Sequence, residues 1–201
     1  MKNEPHQPSH DDRSRLDRAL RRAIAHPPLV TAFFFATTLL VAALISHLRP
    51  VEPRVHDEFS YLLAADTFAS GRLANPTHPM WPHFESFHII HQPAYASKYP
   101  PGQGLALAVG QSLFGRPLVG LWLLSATATA ACYWMLLGWT SRRWAFGGGV
   151  LCAVHPGLQL AWGQTYWGGT LAFLGGALVF GAAGRLARQP RVSSALAMAM
   201  G

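Results

Sequence analysis

The chain has 201 residues, of which 50% are hydrophobic and only 12% are charged, and its formal net charge is +7. These averages alone would fit a large apolar globular domain, but the apolar residues are gathered into long runs, which argues against one. The positive charge does not indicate a nucleic-acid partner, because membrane topology explains five arginines just before the first apolar run: Arg13, Arg15, Arg18, Arg21 and Arg22.

Three long runs predict the membrane segments. Positions 27–46, 117–140 and 144–184 contain no Asp, Glu, Lys or Arg. A bilayer core is crossed by about 20 apolar residues in a helix, so the runs supply one, one and two spans. The predicted fold class is therefore all-α, a polytopic transmembrane helical bundle. We expect an integral membrane protein.

Residues 1–27 are predicted to be a cytosolic basic tail, because positive charge is retained on the cytosolic side. Leu16, Leu20 and Ile24 recur every four residues within it. This spacing fits either a basic amphipathic helix on the membrane surface or a solvated charged helix. The first transmembrane helix is predicted at 28–48, and 49–101 then form a long extracytoplasmic loop with short interfacial helices.

The loop carries most of the acidic charge. It holds five of the nine acidic residues, and none follows Lys98 in the chain. A helix is predicted from Glu58 to Ser70, with Asp57 as its N-cap and Gly71 as its end. Its apolar face is expected to lie on the membrane surface, and positions 75–96 are expected to form an irregular cap.

Residues 102–191 are predicted to be membrane helices. The chain is expected to re-enter the membrane at Lys98 to Gly102, which we call the re-entry segment. Its prolines predict extended backbone at Tyr99 and Pro100 and a helix that begins at Pro101. The helix 102–114 is only about 20 Å long, so it either crosses or dips into the membrane. If it dips, the later clusters become cytosolic, namely Arg142, Arg143, Arg185, Arg188 and Arg191, whereas a crossing helix would place them outside. Further helices are predicted at 117–139, 144–160 and 170–187. His155-Pro156-Gly157 is expected to interrupt the second near its end, and Gly163 to Gly169 to form a turn rich in Trp and Tyr at the membrane interface. Residues 192–201 resemble the start of a truncated further helix.

Asp57 and Glu58 are the first candidates for chemistry. A carboxylate partly shielded from water can deprotonate an acceptor hydroxyl or bind a divalent cation. The same residues equally suit a helix start, with Asp57 as the cap and Glu58 favoured by the helix dipole. Lys98 can hold the phosphate of a lipid-linked substrate, or can simply place its ammonium group at the interface.

Other candidate sites are weaker. His83, His88 and His91 with Glu85 could ligate a metal, but their spacing matches no compact site, which favours solvated loop histidines. A divalent cation is the one candidate cofactor. Cys132 and Cys152 fall within apolar runs and are expected to be packing residues without a disulfide. No nucleotide-binding or hydrolase motif is present.

The order of the motifs resembles the N-terminal part of GT-C glycosyltransferases of the protein-mannosyltransferase and aminoarabinose-transferase type. The resemblance covers about residues 55–191. It consists of an Asp-Glu pair after the first span, an extracytoplasmic loop, Lys-Tyr-Pro-Pro-Gly at the next membrane entry, a Phe-Gly-Arg-Pro turn and serial spans. Such enzymes are usually much longer.

The resemblance implies transfer of a sugar, with inversion, from a polyprenyl-phosphate donor to an acceptor at the outer face, with the bacterial inner membrane as its location. Asp57 would be the general base or would position the acceptor with a metal, and Glu58 would assist. Lys98 would neutralise the departing phosphate, supported by Tyr99, Pro100, Pro101 and Gly102. The alternative is a non-catalytic membrane module, such as a transport or assembly subunit, or an inactive truncated fragment.

Overall fold

The computed structural model describes residues 15, 18 and 21–201. This part of the chain is mostly helical, with a two-stranded antiparallel hairpin as a small departure from the all-α prediction. The helices are α1 (Pro27–Leu48), α2 (His56–Ala69), α3 (Pro101–Phe114), α4 (Pro117–Leu137), α5 (Arg142–Val154), α6 (Gly169–Leu186) and α7 (Val192–Met200), with a 3₁₀ turn (Trp81–His83), a π-helical segment (Gly157–Trp162) and strands β1 (Ile89–Ile90) and β2 (Ala96–Ser97).

Helices α1, α4 and α6 are long and apolar enough to cross a membrane, as expected of an integral membrane protein. Their bounds agree with three of the predicted spans. The predicted interruption at His155-Pro156-Gly157 is confirmed: α5 ends at Val154 and the π-helical segment begins at Gly157, so 144–160 is not one continuous helix. Pro156 explains the break, since proline lacks the N–H that would continue the ladder and disfavours helix at its predecessor.

Contacts with α1 show how the bundle is ordered. The Trp122 indole near the start of α4 donates to Ser46 Oγ near the end of α1 (2.9 Å), so α1 and α4 are antiparallel. Arg142 at the start of α5 donates to the carbonyl of Ala25 before α1 (2.7 Å). Gln164, after the π-helical segment, donates to the carbonyl of Ala42 (3.2 Å). The two pieces of the broken helix therefore run together along the length of α1.

Helix α3 stays at one end of the bundle. Near its start, Gln103 donates to the carbonyl of Tyr166 (3.1 Å). Near its other end, Gly110 packs so tightly against Gly120 of α4 that a Cβ on Gly110 would overlap the Gly120 backbone nitrogen. Since α4 begins where α1 ends, both ends of α3 lie at that same end. The geometry therefore favours the dipping arrangement over a crossing helix.

The charges are separated between the two ends of the bundle. We call the end that carries residues 49–101 the acidic end, because every acidic residue that the structure describes lies there. At the opposite, arginine end, Arg142 lies beside Ala25, and Arg185 of α6 donates to the carbonyl of Trp134 in α4 (2.7 Å). The arginine end collects Arg15, Arg18, Arg21, Arg22, Arg142, Arg143, Arg185, Arg188 and Arg191.

Two local expectations change. Helix α2 begins at His56 with Val55 as the N-cap, so the prediction of Asp57 as the cap is wrong and Asp57 lies in the first turn. Its apolar face is covered by protein, because Ala65 packs with Leu107 of α3. Gly71 follows the helix with φ of +72°, as predicted for its end.

Of the basic tail, only Arg15, Arg18 and 21–23 are described as helical, and the remainder of that prediction lies outside the described residues.

Candidate active site

The Asp57 carboxylate is the centre of a hydrogen-bonded cluster at the acidic end. Its Oδ1 accepts the Tyr99 hydroxyl and lies 2.9 Å from His88 Nδ1. Its Oδ2 accepts the Trp167 indole N–H at 2.8 Å. The Tyr99 hydroxyl is also 2.6 Å from His88 Nδ1. Four segments that are distant in sequence therefore meet at one carboxylate, which we call the Asp57 cluster (Asp57, His88, Tyr99 and Trp167).

The hairpin brings His88 and Tyr99 together. They flank β1 and β2, in which Ile89 pairs with Ser97. Ser60 of α2 is fully buried and ties the hairpin to the helix, since its hydroxyl donates to the carbonyl of His88 (2.6 Å) and bonds to Ser97 Oγ (2.7 Å). Asp57 is one turn before Ser60 on α2. The hairpin therefore places both rings beside the carboxylate.

The rings of the cluster form a stack. Tyr99 stacks between Tyr61 (centroids 4.8 Å apart) and His88 (5.7 Å). His56 continues the stack on the other side of His88, at 6.2 Å. Tyr99 and His88 each lie between two neighbouring rings. This stacking restricts the orientations of the hydroxyl and the imidazole that contact Asp57.

Glu58 differs from its neighbour in burial and in partners. Its side chain is 3% exposed. Its Oε2 accepts the backbone N–H groups of Arg54 (2.8 Å) and Val55 (3.2 Å), and its Oε1 accepts that of Tyr166 (2.9 Å). A glutamate at the third helical position that bonds back to the N-cap N–H is half of a capping box. Glu58 thus joins the start of α2 to the segment that carries Trp167.

Hydrogen bonding holds the pKa of Asp57 below its ordinary value of 3.8. The largest cause is the hydrogen bond from the Tyr99 hydroxyl. Burial, the next largest, raises the pKa, whereas the Trp167 indole and then the charges of His88 and Lys98 lower it. Burial, and then the bond to Asp57, raise the pKa of Tyr99 to about 12. At neutral pH the carboxylate is ionised and the phenol is protonated.

The re-entry segment brings Lys98 to the edge of the cluster. Lys98 is exposed, and its Nζ lies 5.7 Å from the centroid of the Tyr99 ring. Pro100 is the N-cap of α3, with extended backbone at ψ of 145°, and Pro101 opens the helix, as predicted. A Cβ on Gly102 would lie 2.7 Å from the end of the Leu171 side chain in α6, so Gly102 lets α3 approach α6 closely. The predicted supporting loop therefore fixes α3 against α6 and leaves Lys98 facing solvent.

Two cavities lie next to the Asp57 cluster. One, of about 380 Å³, shares Trp167 with the cluster and is lined by charged side chains from the segment after α1, among them Arg49, Glu52 and Arg54. The other, of about 630 Å³, includes His56 and is lined by the aromatic rings of the loop, among them Phe59, Phe84 and Tyr95. Of the Asp57 cluster, Trp167 lines the charged cavity, whereas the aromatic cavity adjoins the cluster through His56, which stacks on His88.

The candidate metal ligands are dispersed in the part of the chain that the structure describes. The described residues contain no group of three or more His, Cys, Asp or Glu side chains that could hold an ion. His88 belongs to the Asp57 cluster, whereas His91 is 7% exposed and packs against Tyr95 (5.4 Å). His83, in the 3₁₀ turn, is exposed, as is Glu85. The four candidate ligands therefore do not converge, and we assign no step to a cation.

The sequence identified Asp57, Lys98 and Tyr99, which the structure brings together. It did not identify His88 as a partner of Asp57, and it gave Trp167 only a place in an interfacial turn. No local pattern reveals either contact, because His88 is 31 and Trp167 is 110 positions from Asp57. The one available signal was composition: a histidine-rich loop following the Asp-Glu pair.

Comparison of the chain with models of known families, with curated proteins and with solved structures found no significant match.

Proposed function

We propose that this chain carries the acceptor- and phosphate-handling site of a membrane glycosyltransferase that uses a polyprenyl-phosphate sugar donor. The observation that carries the proposal is the Asp57 cluster. In this cluster an ionised carboxylate contacts the His88 imidazole at the acidic end of a bundle with three candidate membrane spans. The resemblance in motif order supplies the reaction class. The arginine end would face the cytosol, so the acidic end and residues 49–101 would be extracytoplasmic.

The geometry refines the roles that the resemblance implies. Both carboxylate oxygens of Asp57 already accept donors, and its low pKa makes it a weak proton acceptor. When its proton is on Nδ1, neutral His88 can donate a hydrogen bond to Asp57. Nε2 is then the ring nitrogen that can accept a proton. Since Nε2 makes no hydrogen bond with another described residue, we assign proton acceptance to His88 and its orientation to Asp57.

In the proposed reaction, the acceptor hydroxyl oxygen forms a bond to the anomeric carbon of the sugar. The carbon–oxygen bond to the lipid phosphate breaks, and its electron pair leaves with the phosphate. The hydroxyl proton passes to His88 Nε2. Lys98, with Arg49 and Arg54 of the charged cavity, would stabilise the departing phosphate. The aromatic cavity would hold the acceptor, and Glu58 would act only by positioning Tyr166 and Trp167.

The test is sugar transfer by the full-length protein in membranes, with a radiolabelled polyprenyl-phosphate sugar. Asp57→Asn and His88→Gln should each lower the rate by about 10²–10⁴-fold. Lys98→Ala should lower it less, because arginines share the phosphate. The matched control is Asp66→Asn, the same substitution at an exposed position on the same helix, which should retain the parental rate.

A further variant separates proton acceptance from packing. His88→Gly should regain part of its rate when imidazole is added to the medium, whereas Asp57→Asn should not. Full transfer by a correctly inserted Asp57→Asn variant would refute the enzyme site and favour a non-catalytic transport or assembly module. Failure of imidazole rescue, with Asp57→Asn still inactive, would return the role of base to Asp57.

A further inference from the structure

The arginine end contains a second cavity, remote from the Asp57 cluster. It measures about 610 Å³, within the range of about 300–1,000 Å³ typical of small-ligand sites. It lies between the end of α6, the start of α7 and the last turns of α4. Its lining consists of Trp134, Arg185, Arg188, Gln189, Arg191, Ser193 and Ser194.

The cavity is positively charged without a counter-charge among the described residues. Its lining includes three arginines, and every acidic residue that the structure describes lies at the opposite end. Arg188 is exposed, and its guanidinium makes no hydrogen bond or ion pair with another described residue. An uncompensated set of guanidinium groups attracts an anion, and the planar fork of arginine matches the oxygens of phosphate.

One of the three guanidinium groups is held rigidly. Arg185 stacks on the Trp134 ring, with Cζ 3.8 Å from the ring centroid. It also donates to the carbonyls of Gly181 and Trp134, each at 2.7 Å. Arginine has five N–H donors, so these two bonds leave further donors available. A ligand would therefore meet a group that loses little freedom on binding.

Ser194 adds a hydroxyl group to the lining of the cavity, although the residue as a whole is only 4% exposed. A serine hydroxyl can donate a hydrogen bond to a phosphate oxygen. The hydroxyl of Ser193, one position earlier, lies in the same lining.

We propose that this cavity binds the phosphate of an anionic phospholipid headgroup. The location favours a lipid over a soluble phosphate, because Arg185 lies in the last turn of a candidate membrane span. Helix α7 also exposes Val192 (78%) and Leu196 (59%), which offer an apolar surface for acyl chains. Basic pockets between membrane helices are known to take anionic headgroups. The inference does not depend on the proposed transferase activity.

The experiment measures thermal stabilisation of the purified full-length protein in a neutral detergent, titrated with phosphatidylglycerol, with phosphatidylcholine and with inorganic phosphate. Phosphatidylglycerol should raise the melting temperature of the parent in a saturable, salt-sensitive way. The double variant Arg188→Gln/Arg191→Gln should weaken this binding at least about tenfold, since two charge-assisted contacts are lost. Arg188→Lys should keep most of it.

The matched control is Arg72→Gln, which removes an exposed arginine at the acidic end and should bind as the parent does. Both substituted arginines are exposed, so the lipid-free melting temperature should not change. Equal binding by the double variant and the parent, or equal binding of phosphatidylcholine, would overturn the proposal. Inorganic phosphate that binds as tightly as phosphatidylglycerol would overturn the lipid as the source.

Discussion

At the acidic end of the bundle, the Asp57 carboxylate bonds to side chains of distant segments, whereas at the arginine end Arg142 and Arg185 bond to the backbone. Asp57 accepts hydrogen bonds from three side chains that belong to separate segments. Arg142 and Arg185 donate instead to main-chain carbonyls near helix ends. The Asp57 cluster is thus assembled from separate segments, while the described residues of the arginine end include no acidic side chain.

The strongest test of this comparison is the exposure of the two ends in intact cells. A cysteine in place of Gln92, in the hairpin loop, should react almost completely with a membrane-impermeant maleimide. A cysteine in place of Ser141, beside Arg142, should react only after the membrane is permeabilised. Both positions are exposed, and the native Cys132 and Cys152 are buried. Equal labelling in intact cells would contradict the separation of the ends by a membrane.

The next test compares the adjacent carboxylates of the acidic end. Glu58→Ala should lower the free energy of unfolding by about 3 kcal/mol, because it leaves the N–H groups of Arg54, Val55 and Tyr166 unpaired. Asp57→Asn should cost about 1 kcal/mol or less, since its partners are partly solvated. Urea unfolding in detergent measures both. A larger loss for Asp57→Asn would reverse the assignment of a structural role to Glu58 and a chemical role to Asp57.

A smaller effect is expected where the hairpin meets α2. Ser60→Ala removes bonds to the His88 carbonyl and to Ser97 Oγ, and should cost about 1–2 kcal/mol. It should also slow transfer, because it loosens His88 against Asp57. Thr67→Ala, at another buried hydroxyl of α2, is the control for stability. If both variants transfer sugar equally well, the hairpin does not position the cluster.

The smallest effects are those of pH. Because the pKa of folded Asp57 is depressed, its ionised form stabilises the fold above about pH 4, and this contribution is lost as the pH falls further. The pKa of Tyr99 is raised from 10.0 to about 12, so its contribution is complete below about pH 10 and disappears as the pH rises to about 12. Thermal unfolding should show weaker alkaline destabilisation for Tyr99→Phe than for the parent. An unchanged alkaline slope would contradict the environment assigned to Tyr99.

Local chemistry made several features predictable. Long apolar runs gave the three candidate spans, and Pro100 and Pro101 gave the start of α3. The interruption at His155 was visible as a Pro-Gly pair. The start of α2 was misplaced by two positions because the backbone N–H groups before it are satisfied by Glu58 rather than by a cap at Asp57.

By itself, the sequence determined that apolar helices alternate with one polar loop and that acidic and basic residues follow opposite patterns along the chain. These properties depend on composition and spacing within about 20 residues. Only the tertiary structure decided that α3 stays at one end, that His88 and Trp167 join Asp57, and that Glu58 serves the backbone. Each of these outcomes depends on packing between segments far apart in the chain, where side-chain direction and close helix contacts such as Gly110 on Gly120 select the partners.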